Sequence, residues 1–121
     1  MNLIIQLKKL QQKDLNLFKI VLDHHSTTMQ FLNETLPDRK YAKDMSIAVE
    51  TWYEFEKKTV GQFPVKESNL KISLHKAYVL CDALFEYSRE INNEYEESRC
   101  RRFIMAIDEQ LPTAAQLAIK N

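Results

Sequence analysis

The chain holds one glycine, Gly61, in 121 residues, while apolar side chains recur every three or four positions over most of its length. Strands joined by tight turns need residues that tolerate positive φ, chiefly Gly, Asn or Asp set between alternating runs. That pattern is missing, and the expectation is an all-α protein. The length suits a single helical-bundle domain over residues 1–121. Folding at this size buries about two-thirds of the surface of the unfolded chain, so a core forms without disulfides or metals.

The clearest helical segment runs from Asp14 to Leu36. Leu15, Phe18, Leu22, His25, Met29, Leu32 and Leu36 trace one stripe, and Asn16, Lys19, Asp23, Ser26, Gln30 and Asn33 lie opposite. Pro37 ends it, because the residue before a proline is driven out of the helical region. Leu3 to Gln12 also follows a helical period. A second helix is predicted from an Asp38 cap to Lys58, burying Tyr41, Met45, Ala48, Val49, Trp52 and Phe55. The stretch from Thr59 to Glu67 carries Gly61 and Pro64 and reads as a loop, with Phe63 and Val65 covering a core edge.

Ser68 then reads as the cap of a third helix reaching Tyr95. It is apolar over most of its circumference, as expected of a central helix. Past Tyr95 the stripe shifts to Cys100, Phe103, Ile104, Ile107 and Leu111, which places a kink or a new helix near Glu97 and Ser98. Pro112 suits the first turn of a short terminal helix through Ala114, Leu117, Ala118 and Ile119. The expected architecture is an up-and-down bundle of four main helices with a short C-terminal fifth.

Seventeen basic residues balance seventeen acidic ones, so no net field draws a polyanion to the chain. Lys8 and Lys9 interrupt the first apolar stretch, which lacks a signal-peptide cleavage site, and no apolar run spans a bilayer. The expected setting is cytoplasmic and away from membranes. Both cysteines, Cys81 and Cys100, should then be thiols. On one continuous helix they would stand roughly 28 Å apart, beyond disulfide reach.

His25 falls inside an apolar stripe, and Glu56 sits on the buried side of the second helix, as in bundles that hold metals with inward Glu and His. The Glu-x-x-His spacing of di-iron bundles does not occur, and a core histidine bonded to a neighbour is the simpler reading. Cys100 is flanked by Arg99, Arg101 and Arg102, positive neighbours that favour a thiolate. Those arginines are also candidate phosphate contacts, although Glu97 lies four residues before Arg101 in the order that favours a local pair. Arg39, Lys40 and Lys43 open the second helix against its dipole, which points either to a solvated face or to a partner.

No catalytic, cofactor or metal signature emerges. The expected function is therefore a helical protein-interaction module, adaptor or regulatory, without catalytic activity. Its expected partner is another protein or, as a homodimer, a second copy. The expected interface is the apolar surface left over on the third and second helices, namely Ile72, Val79, Ala83, Tyr87, Ile47 and Tyr53. One alternative is a metal-binding or redox bundle using His25, Glu56 and Cys100. Another, disfavoured by the net charge, is nucleic-acid binding through Arg99, Arg101 and Arg102.

Overall fold

A computed structural model describes residues 4–59 and 67–112. In chain order it contains β1 (Ile4–Leu10), α1 (Gln12–Thr35), α2 (Arg39–Thr59), β2 (Ser68–Ser73), α3 (Leu74–Glu90) and α4 (Glu94–Asp108). The protein is thus mostly helical, with four helices among the described residues. The predicted loop around Gly61, Phe63, Pro64 and Val65 and the predicted fifth helix through Ala114, Leu117, Ala118 and Ile119 lie outside those residues.

The all-α expectation is corrected by a two-stranded antiparallel sheet. β1 pairs with β2 in the register Ile5 to Ile72, Gln6 to Lys71 and Leu7 to Leu70. Both strands fall where a helix is expected, because Leu3, Leu7 and Leu10 keep a helical period, and so do Leu70 and Leu74. The observed burial follows the strand period: Ile5, Leu7, Leu70 and Ile72 face inward. A bulge between Leu7 and Leu10 returns Leu10 to the inner side. Its left-handed residue is Lys9, with φ of 57°, and the Lys9 amide donates to Asn69 Oδ1 at 3.0 Å. Scarcity of glycine therefore did not forbid a sheet. These strands are distant in sequence and need no tight turn between them, while a lysine occupies the one left-handed position.

On the edge of β1 away from β2, the Gln110 side chain satisfies a whole backbone rung. The Gln6 amide donates to Gln110 Oε1 at 2.9 Å, and Gln110 Nε2 donates to the Gln6 carbonyl at 2.7 Å. A side-chain amide thus does locally what a third strand would do, and blunts an edge open to pairing.

α1 and α2 form an antiparallel hairpin. Asp38 caps α2 as expected, its Oδ1 accepting from the Lys40 amide at 2.8 Å, while Asn33 Oδ1 accepts from the Asp38 amide at 3.1 Å. At the other end the rings of Phe18 and Phe55 lie 5.5 Å apart, and Phe103 of α4 meets Phe18 edge-on at 4.8 Å. Such aromatic pairs add about 0.5 to 1.5 kcal/mol beyond burial alone. α3 begins after Ser73, five residues later than predicted from the Ser68 cap, because β2 occupies the interval. Its break from α4 falls at Ile91–Asn93 rather than near Glu97 and Ser98. There the Asn93 side chain accepts from the Glu96 amide at 3.1 Å, and Glu94, Glu96 and Glu97 fill the first turn of α4, where the helix dipole favours them. The two cysteines consequently sit on different helices, and both are free thiols.

One buried polar node ties α4 to the start of α1. Arg99 Nη1 contacts both Glu96 carboxylate oxygens at 3.0 Å, while Nη2 donates to the Lys13 carbonyl at 3.0 Å and to Asp14 Oδ1 at 3.2 Å. Asp14 is itself buried, and its other oxygen accepts from the Gln11 amide at 2.8 Å, closing the first turn of α1. Burial acts to lower the Arg99 pKa, but its bonds to Glu96 and Asp14 outweigh that and hold it above the ordinary value. Replacing Arg99 with Ala strands the Asp14 carboxylate, and urea unfolding should show a loss of about 3 kcal/mol or more. Arg99→Lys should recover only part, because it lacks the planar fork. A change near zero in Arg99→Ala would remove the node from the account.

Candidate functional site

The residues expected to form an interface divide on folding. Ile72, Val79 and Ala83 belong to the hydrophobic core, and Ile47 and Tyr87 pack partly buried against it. The fold itself uses the apolar surplus of the third helix, since β2 diverts Ile72 into the sheet and α1, α2 and α4 surround α3. Of the six, Tyr53 remains well exposed.

Nor does the structure bring His25, Glu56 and Cys100 together. His25 is buried, with Nδ1 at 2.8 Å from Glu86 Oε2, and its neighbour His24 meets Glu90 at 2.6 Å. These two pairs pin α1 to α3. Glu56 binds Lys19 at 3.0 Å on the α1–α2 seam. Cys100 is buried on α4, where burial pushes its thiol up and Glu96 adds to the shift, while Arg99 opposes it. The activation expected from flanking arginines is thus outweighed by desolvation. Among the described residues no group of three or more His, Cys, Asp or Glu is placed to hold a metal ion.

The three arginines also part company. Arg99 turns into the buried node, exposed Arg101 pairs with Glu97, and Arg102 lies over the Phe103 ring at 5.2 Å. No helix among the described residues is long and apolar enough to cross a membrane.

What stands out is the outer face of the α1–α2 hairpin, turned away from α3. Ile20, Thr27 and Phe31 fall on one line of α1, about two and three turns apart. Ala42, Val49 and Tyr53 repeat that spacing on α2. Phe31 is 65% exposed, Tyr53 58%, Ile20 52% and Val49 40%. Beside Ile20, Val49 and Tyr53 lie two depressions that share Asp23 and Trp52 in their walls. One is lined by Asp23, Ser26, Val49, Trp52 and Tyr53, the other by Asn16, Lys19, Ile20, Asp23 and Trp52. The face extends toward the hairpin tip, where Leu36 is exposed and Arg39, Lys40 and Lys43 enter no ion pair among the described residues.

A further depression lies between α3 and α4, lined by Phe85, Ser88, Arg89, Ile91, Glu97, Arg101, Ile104 and Met105. Its charged groups already engage one another or nearby rings, with Arg89 over Phe85 at 5.5 Å and Arg101 paired to Glu97. The sequence points to Tyr53 on this face and to Trp52 on the inner side, where it does pack partly buried against the core, whereas Val49, expected inside, is exposed. The repeated spacing of Ile20, Thr27 and Phe31 was the available signal for the outer face of α1.

No protein family matches the chain, and neither does any curated protein or solved structure.

The thiols give a direct chemical test of the redox alternative. Burial pushes the Cys81 thiol from the ordinary 9.0 up to about 11, with Asp82 and Asp108 adding to it. At neutral pH the thiolate fraction falls by about a hundredfold, and after allowing for the greater nucleophilicity of the more basic thiolate, Cys81 should react with an aromatic disulfide about tenfold more slowly than an ordinary thiol. Cys100 should react only on unfolding. The sign for stability is that the folded chain holds its Cys81 proton more tightly, so this group favours unfolding as pH rises between 9 and about 11. Fast, stoichiometric modification of either thiol in folded protein would contradict this.

Proposed function

We propose that the protein is a non-catalytic interaction module that docks another protein on the outer face of its α1–α2 hairpin. The carrying observation is the chain of exposed large apolar side chains Ile20, Phe31, Val49 and Tyr53 over two helices. Ile20, Thr27, Phe31, Ala42, Val49 and Tyr53 are all uncharged, and Lys19 and Asp23 line the depressions beside them. Interface centres share this composition, being poor in charge and rich in aromatic residues. A single exposed apolar residue needs no explanation, but four large ones on one hairpin do.

Helix packing supports the same reading. The four helices are read as an up-and-down bundle closed at one end by the β1–β2 ribbon. In that arrangement α3 takes the central place, and α1 and α2 are left with a common free side. Two parallel ridges with a shallow furrow between them suit an amphipathic helix or another extended apolar segment of a partner.

Site-directed photo-crosslinking in the producing cells tests the proposal. A benzophenone side chain at Phe31 or Tyr53 should give protein adducts at several times the yield of the same group at Phe85 in the α3–α4 cleft. Equal or absent adducts at the hairpin positions would overturn the docking face.

A further inference from the structure

Within that face, one dimple has a more particular chemistry. Trp52 and Tyr53 meet edge to face, with centroids 5.1 Å apart and planes at 89°, and this ring pair lines the depression. Asp23 lines the same depression, and its exposed carboxylate enters no ion pair among the described residues. Val49 and Ser26 complete the wall.

Perpendicular aromatic faces with a carboxylate beside them attract a cation, because ring quadrupoles present negative faces and the acid supplies full charge. Lys19 Nζ lies 5.9 Å from the Trp52 ring centroid. That lysine does not neutralise Asp23, since Glu56 and Thr59 both hold its ammonium at 3.0 Å.

We infer that the Asp23–Trp52–Tyr53 dimple receives a lysine or arginine side chain of the partner protein, with Asp23 as its counter-charge. The inference rests on the outer face being a docking surface, and it defines the partner segment. Apolar residues of that segment lie along Ile20, Phe31 and Val49, and one basic side chain enters the dimple beside the ring pair. Such an arrangement gives an apolar furrow a fixed register, because a basic residue set one position off would face Val49 or Ile20 instead of a carboxylate.

Trp52 is the sole tryptophan of the chain and reports on the dimple by its fluorescence. The probe is Nα-acetyl-lysine methylamide, compared with its ε-acetylated neutral form and with sodium chloride at equal ionic strength. The charged probe should give a saturable change in Trp52 emission in the millimolar range, and the neutral form should give none. Asp23→Asn should weaken that response roughly fivefold, the most that an exposed ion pair ordinarily contributes. Tyr53→Leu should weaken it as well, and both positions are exposed enough for the variants to keep the wild-type circular dichroism.

Equal responses to charged and neutral probes, or an Asp23→Asn variant that binds as tightly as wild type, would overturn the cation site. If hairpin crosslinks form while the lysine probe fails, the inference falls and the docking face stands. If the crosslinks fail, the inference loses the partner it requires.

Discussion

Pairing of residues 4–10 with residues 68–73 is the constraint on which the remaining architecture depends. It closes a long excursion of chain and sets the start of α1 beside Ser68, with the start of α3 at the other end of the ribbon beside Ile4. Because both strands present their inner side chains to the same core, Ile5, Leu7, Leu70 and Ile72 floor the space that Phe18, Leu22, Leu80 and Leu84 fill from the helices. Gln110 then seals a rung on the far edge of β1 from the end of α4, and Arg99 locks the body of α4 against the first turn of α1. Sheet, seal and buried ion pair hold one end of the molecule closed. The opposite end, the tip of the α1–α2 hairpin beyond Met29, is left with exposed residues on both helices.

Long, strongly amphipathic segments were legible in the sequence. The bounds of α1 and α2 fall within two residues of expectation, since Pro37 and Asp38 act locally and leave little for tertiary contacts to override. Short apolar runs were ambiguous. A period of two and a period near three and a half predict the same positions over a handful of residues, and only the partner strand, sixty residues away, decides between them. The displaced start of α3 follows from the same cause, because Ser68 resembles a helix cap until β1 takes its backbone. The break before α4 was detected as a change of phase, but its position depended on Asn93, whose capping bond is a matter of local geometry.

Site residues were less legible, for a physical reason. Polar groups singled out by unusual neighbours in sequence turn out to be engaged with groups distant in sequence: His25 with Glu86, Glu56 with Lys19, and Arg99 with Asp14. Each pairing converts a suggestive residue into a structural one. Conversely, the surplus apolar face of α3 becomes core once β2 and α4 are in place, and the free face lies on the hairpin, at Ile20 and Phe31, which fall off the apolar stripe of α1. A surface of this kind is defined by which side of a helix the fold leaves uncovered, and that depends on packing rather than on the helix's own pattern.

The β1–β2 pairing is tested most directly by nuclear Overhauser contacts in solution. Since Gln110 takes both backbone groups of Gln6 on the outer edge, Gln6 and Lys71 form a non-hydrogen-bonded pair, whose Cα atoms ordinarily approach to about 4.5 Å. A strong contact between the Hα atoms of Gln6 and Lys71 is therefore predicted. Its absence, together with helical contacts from each residue to the third one along within residues 4–10 and 68–73, would contradict the account.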